Sequence, residues 1–200
     1  MRFFLPLRFV PHLGYTGIGE VSDPLTQSPC NAQTMNPVKI GILSDTHLAR
    51  PTETFKKIAE ACFRDADIIL HAGDLTDPAI LTAFPGKEVH AVHGNMCSAL
   101  TCRHLPSHKE IQVGGFTIGL IHRAGNTYDF EERLIEIFPE ADCIVYGHTH
   151  RPVCHRLGGV LYINPGSFTG TGYSGAGGTF AMLEVGETLQ GQIYQIQAKL

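Results

Sequence analysis

The sequence predicts an α/β domain. From Val38 onward, short apolar runs of strand length alternate with stretches whose apolar residues recur at helical spacing. Of the 200 residues, 43% are hydrophobic, enough for one domain with a full core. Five of the apolar runs are followed at once by a small residue and then by Asp, Asn or His, the arrangement expected where ligands gather beyond the carboxyl ends of strands in an α/β sheet.

The elements follow in order. "VKIGIL" (38–43) reads as a buried strand. In "TETFKKIAEACF", Phe55, Ile58, Ala59 and Cys62 fall at i, i+3, i+4 and i+7, one face of a helix. "DIIL" (67–70) is a second strand, and "PAILTAF" (78–84) opens with proline in a first helical turn. "EVHAV" (88–92) is a third strand. "EIQV" (110–113) and "FTIGLI" (116–121), joined by Gly114 and Gly115, read as a hairpin. "YDFEERLIEIF" sets Phe130, Leu134, Ile137 and Phe138 on one helical face, and "DCIVY" (142–146) is again a strand. After Pro152 the helical period disappears. "VCHRL", "GVLYIN", "GTFAMLEV" and "LQGQIYQIQ" read as consecutive strands, and the glycine-rich 170–178 as a loop without P-loop spacing.

Residues 1–36 differ: scattered apolar residues, four prolines and no sustained period. They read as a disordered extension to a domain over 37–200, with a targeting segment or a partner-binding arm as alternatives. Pro6 and Arg8 interrupt the initial apolar patch, and Met35 stands just before the first strand as an alternative start. Net charge is −4 and no Lys/Arg run exceeds two residues, so no nucleic-acid footprint is visible. No apolar run approaches the roughly 18 residues that cross a bilayer. The six cysteines form neither a Cys-x-x-Cys pair nor a dense framework, which points to reduced thiols and a cytoplasmic location.

The chemistry lies at the strand ends. "IGILSDTH" delivers Asp45 and His47, "IILHAGD" Asp74, "HAVHGN" Asn95, "TIGLIH" His122, and "IVYGHTH" both His148 and His150. Spacings of 29, 21, 27 and 26 residues between successive elements suit strand–connection–strand units. Carboxylates, a carboxamide and four imidazoles are the inventory of a dinuclear metal centre. Two cations a few ångströms apart repel, so a shared carboxylate and a bridging hydroxide must lie between them. The Asp and His donors suit manganese, with nickel, iron or zinc as alternatives, whereas a calcium cage needs only oxygen. Gly73, Gly94 and Gly147 each precede a ligand, where a missing side chain permits a sharp turn and close substrate approach.

"DTH", "GD", "GN", a lone strand-end His and "GHTH", in this order, resemble the calcineurin-like metallophosphoesterase superfamily. With the short length and "INPGS" (163–167), they look most like its small prokaryotic phosphodiesterase branch. The resemblance covers about residues 38–185 and implies a four-layer αββα sandwich, two facing mixed sheets flanked by helices. It implies two divalent metal ions, one held by Asp45, His47 and His150 and the other by Asn95, His122 and His148. Asp74 bridges them, and Asn95 lies beside the phosphate. The implied reaction is hydrolysis of a small phosphate ester, phosphodiesters favoured, by the metal-bridging hydroxide. The expected partner is a small phosphate-ester substrate, with no nucleic-acid-binding footprint and no membrane, and a homo-oligomer is left open. His71 reads either as support for a ligand or as a buried, satisfied histidine.

Three positions depart from the family pattern. Many members carry a histidine directly after the "GN" asparagine, acting toward the leaving group; here it is Met96. The small branch often has Asp next, where this chain has Cys97. A glycine often follows the strand-end histidine, where this chain has Arg123, either aimed at a substrate phosphate or exposed. A zinc site on Cys97 and Cys102 lacks two further ligands. The rival functions are a phosphomonoesterase or nucleotidase, and a non-catalytic protein-binding scaffold of the same fold.

Overall fold

The computed structural model describes residues 36–125, 130–170 and 177–197. The extension over 1–35, with its readings and Met35, lies outside the described residues, as does 171–176 of the glycine-rich loop. The architecture below is that of the compact unit Met35–Leu200. In chain order its elements are β1 (Val38–Leu43), α1 (Glu53–Phe63), β2 (Ile68–His71), a 3-10 helix (Pro78–Ala83), β3 (Glu88–Ala91), α2 (Ala99–His104), β4 (His108–Val113), β5 (Phe116–Ile121), α3 (Phe130–Ile137), β6 (Cys143–Val145), β7 (Val153–Leu157), β8 (Val160–Asn164), β9 (Thr179–Val185) and β10 (Leu189–Gln195).

The strands form two mixed five-stranded sheets, ordered β10-β9-β1-β2-β3 and β4-β5-β6-β8-β7. In the first, β1, β2 and β3 are parallel and β9 joins β1 antiparallel. In the second, β5, β6 and β8 are parallel, with β4 and β7 antiparallel at the edges. Alternate residues of each strand face different layers. Ile40, Ile42, Ile68 and Leu70 meet Ile118, Leu120, Val145 and Ile163 between the sheets. On the outer face of the first sheet, Leu43 and Ile69 pack on Phe55, Ala59 and Phe63 of α1. On the outer face of the second, Ile144 and Tyr146 pack on Leu134 and Phe138 from α3 and its end. The result is a four-layer αββα sandwich. Burial on both faces explains why Ile40–Leu43 and Ile68–Leu70 read as apolar runs.

Local chemistry sets the boundaries. Thr52 caps α1 by accepting from the Phe55 amide at 3.1 Å, and Asp77 caps the 3-10 helix through Ala79. Gly114 and Gly115, at φ 57° and 85°, supply the paired left-handed residues of a two-residue hairpin turn. One expectation needs correction, and one element, α2, is not legible in the sequence. Ile137 is 37% exposed, because Leu134 and Phe138 set the buried stripe of α3 and Ile137 falls on its shoulder. The six-residue α2 is too short to show a period, and only Thr101 in it is buried. Ser98 caps α2, and the Ser98 amide and Thr101 hydroxyl both donate to the Thr76 carbonyl. No helix among the described residues is long and apolar enough to cross a membrane.

Candidate metal centre

Parallel strands end at a common edge, so the segments after β1, β2, β3, β5 and β6 meet at one end of the sandwich. Backbone bonds stitch them together: Asp45 N to Gly73 O at 3.0 Å, His47 N to Asp74 O at 2.9 Å, and Gly147 N to His122 O at 3.1 Å. Five of the seven predicted residues, Asp45, His47, Asp74, His148 and His150, have φ between 49° and 69°. This left-handed region costs a non-glycine residue about 1–2 kcal/mol, so the fold holds strain where it presents these side chains. The turns fall largely on the ligands themselves. Of the three preceding glycines, only Gly73 is left-handed, at φ 92°. Gly94 instead provides room: a Cβ there would overlap Asp74 and His122.

Asp45, His47 and His150 offer one donor atom each within 4.8 Å of one another. Asp45 is fully buried, and its two oxygens differ. Oδ2 accepts from the His148 amide at 3.1 Å and lies 2.6 Å from the Ser44 hydroxyl. Oδ1 has no hydrogen-bond partner, yet His150 Nε2 lies 3.1 Å from it and His47 Nε2 3.9 Å. The two imidazole nitrogens are 3.3 Å apart. A desolvated carboxylate oxygen without a hydrogen bond costs on the order of 1–3 kcal/mol or more. A cation among these three atoms removes that cost, and the donor set fits one.

The second group is Asp45, Asp74 and His122, all buried. His122 Nδ1 lies 2.8 Å from the Ala72 carbonyl, which can only accept, so the proton of the neutral ring sits on Nδ1. Its Nε2 lone pair then points at Asn95 Oδ1, 3.1 Å away, and Asp74 Oδ2, 3.3 Å away. Three acceptors converging in this way need a cation or a proton between them. Burial opposes charge on both partners. Even so, their mutual hydrogen bond and the neighbouring charges hold Asp74 below the usual carboxylate range and raise His122 above the usual imidazole range. Asp74 Oδ1 accepts from the Met96 amide at 2.7 Å. Asp45 is the residue common to both groups.

His148 stands edge-on to His122 at 5.3 Å between ring centroids. Burial first, then the charges of His122 and Arg123, lower its pKa and favour the neutral ring that a ligand requires. Arg123 is exposed and near enough to act on His148. His71 is fully buried; its Nε2 meets the Thr46 hydroxyl at 3.2 Å, Nδ1 has no partner, and burial lowers its pKa to about 4. Cys97 Sγ accepts the Gly94 amide at 3.2 Å, and neither donor group found among the described residues contains a cysteine.

Three supporting residues escape sequence reasoning. Asn164 donates from Nδ2 to the Gly147 carbonyl at 2.8 Å and lies 3.0 Å from the Thr149 hydroxyl, while its Oδ1 accepts from Gly166 N. Ser167 donates to the Asp45 carbonyl at 3.0 Å, and Ser44 reaches both Asp45 Oδ2 and the Gly166 carbonyl. The signal of Asn164 and Ser167 is the polar rhythm of "INPGS", whose purpose appears only when β8 lies beside β6, while Ser44 shows none beyond its place before Asp45.

Residues 38–188 match the family model for the calcineurin-like phosphoesterase superfamily domain. A probable metallophosphoesterase of Methanothermobacter thermautotrophicus is 37% identical over 139 residues, 65% of this chain and 77% of its own. A protein named a phosphodiesterase from Methanocaldococcus jannaschii is 27% identical over 146 residues, 66% of this chain and 86% of its own. Among solved structures, Vacuolar Protein Sorting 29 of Cryptosporidium parvum superposes with a TM-score of 0.66 at 20% identity, covering 83% of this chain and 95% of that one. At that identity the likeness is one of fold.

Proposed function

The chain belongs to the calcineurin-like phosphoesterase superfamily, and on that premise we propose that it hydrolyses phosphodiesters at a centre for two divalent cations. Asp45, His47 and His150 hold one cation; Asn95, His122 and His148 hold the other, with Asp74 between them. Asp74 suits the shared position because it is 2% exposed and feels the charges of both His122 and His47. The observation that carries the proposal is Asp45 Oδ1, buried and without a hydrogen bond, facing the Nε2 atoms of His47 and His150. Cations bound there supply Lewis-acid stabilisation of the phosphoryl oxygens and an activated water at neutral pH. Manganese is the first choice, and the domain over 37–200 suffices for the site.

The chain's own residues set the rest. With the Nδ1 proton held by the Ala72 carbonyl, His122 turns Nε2 inward as the atom that would meet a cation. Asn95, exposed and with Oδ1 turned to His122, has an amide Nδ2 positioned to donate to a substrate oxygen. Met96, 60% exposed beside it, cannot donate a proton to a departing alkoxide. Proton donation to a poor leaving group is worth about 10²–10⁴-fold, so good aryl leaving groups should be favoured. A diester also carries one negative charge to neutralise, against two for a monoester dianion.

The test is a metal-by-substrate panel of an aryl diester, the aryl monoester with the same leaving group, alkyl esters and cyclic nucleotides. Chelator-treated protein should be inactive and recover with Mn²⁺, with the aryl diester ahead and Met96→His flattening the leaving-group dependence. Alkyl monoesters cleaved as fast as aryl diesters would refute the diester preference. Protein that binds no metal and cleaves nothing would leave the scaffold reading.

A further inference from the structure

We propose that the cleft beyond His150 is a specificity subsite for an uncharged planar ring on the organic arm of the phosphodiester. It has a volume of about 390 Å³, within the range that holds small ligands. Its walls include His150, Pro152, Gly177, Thr179, Tyr194 and Gln195. The inference rests on the proposed phosphodiesterase activity, whose site shares His150 with it.

Position makes it a subsite. His150 Nε2 lies 3.1 Å from Asp45 Oδ1, so an ester arm leaving the phosphorus on that side enters the cleft directly. The Tyr194 ring is built to stay in place. Tyr194 pairs with Phe180 in the β9–β10 ladder, and the two rings stack at 5.2 Å and 17°. Phe180 thus covers one face of Tyr194, whose hydroxyl donates to Gln192 Oε1 at 2.9 Å. Even so, Tyr194 is 39% exposed, leaving its uncovered surface toward the cleft it lines. A ring held by a stacking partner and a proline, both lining one cleft, offer apolar surface to a flat group.

Charge selects the class. Among the described residues, no Lys, Arg, Asp or Glu lines the cleft. A second phosphate would enter without a counter-charge, while an uncharged ring meets aromatic surface and the polar Thr179 and Gln195. A second cleft, whose lining includes Arg123, Glu132, Arg133 and Glu136, is of opposite character. The ring-bearing arm therefore goes past His150.

The test compares two substrates with one leaving group and one charge, bis(4-nitrophenyl) phosphate and methyl 4-nitrophenyl phosphate. The comparison is made on the full-length Mn²⁺-loaded protein, its Tyr194→Ala variant and its Tyr194→Phe variant. Dividing each variant's diaryl-to-methyl ratio of kcat/KM by that of wild type cancels intrinsic reactivity. Tyr194→Ala should lower this ratio on the order of tenfold, the worth of one ring stack. The loss should appear in KM for the diaryl ester, while methyl ester turnover stays at the wild-type value and Tyr194→Phe keeps the wild-type ratio. In parallel, adenosine titrated into ¹⁵N-labelled protein should shift the amides of Thr179, Tyr194 and Gln195. Unchanged ratios, or no shifts at those amides, overturn the subsite while leaving the phosphodiesterase reading intact. Hydrolysis of neither diester overturns that reading, and the titration then decides the cleft alone.

Discussion

Gly94→Ala tests whether the centre depends on close approach of backbone to ligand. Gly94 is not left-handed, so alanine adds no backbone strain and the effect is steric. Its Cβ would stand 2.6 Å from Asp74 N and 2.7 Å from His122 Cδ2, and closer still to Asp74 Oδ1. Restoring ordinary contact requires the β2 end or the His122 ring to move by roughly 0.8 Å. Overpacking of this kind costs about 1–3 kcal/mol, which in a domain of this size lowers Tm by about 2–12 °C. The catalytic cost should be larger, because displacement of about 1 Å at reacting groups costs on the order of 100-fold. The assay combines thermal melts, calorimetric titration of Mn²⁺ into chelator-treated protein, and kcat/KM on an aryl diester. Gly86→Ala is the control: Gly86 has φ 75° and no atom within 4 Å of its Cβ position. It should lose about 1 kcal/mol to strain and keep wild-type metal affinity and turnover. If Gly94→Ala binds Mn²⁺ with wild-type affinity and turns over normally, the argument that Asp74 and His122 are held by that contact is wrong.

Asp74→Asn is expected to be the most damaging conservative change in the site, lowering kcat/KM at least about 100-fold and reducing bound metal by elemental analysis. A larger loss from Asp45→Asn would move the shared role to Asp45, the carboxylate common to both donor groups. His71 gives the fold an acid sensitivity. With a folded pKa of about 4 against the usual 6.5, the unfolded chain takes up the proton first as pH falls. Its contribution is therefore intact above pH 6.5 and declines toward pH 4, by up to about 3 kcal/mol. Urea melts of chelator-treated protein should show a shallower decline over that window in His71→Gln, and equal slopes would exclude His71 as the cause. A chain beginning at Met35 is expected to fold and retain activity; a melting temperature several degrees lower would mean that residues 1–34 pack on the domain.

Much of this protein is legible in its sequence, because the relevant physics is short-ranged. The strands at 38–43, 68–71 and 143–145 announce themselves because burial on both faces leaves them few polar residues, Lys39 and His71 standing toward their ends. The seven candidate ligands are visible because each motif packs its donors within a few residues of a strand end. What the sequence withholds depends on which strands become neighbours. The proton position on His122 is set by the Ala72 carbonyl, 50 residues earlier in the chain. One oxygen of Asp45 is held by an amide 103 residues away, and that contact leaves the other oxygen bare before His47 and His150. Tyr194 faces a cleft near His150 only because β10 and β9 pair beyond β1. Even α2 owes its place to the carbonyl of Thr76, held at φ 61° by the turn after Asp74. Propensity and periodicity act over one or two turns of chain. The partner of a buried charge is chosen by packing across the sandwich, where residues far apart in sequence are brought within 3 Å.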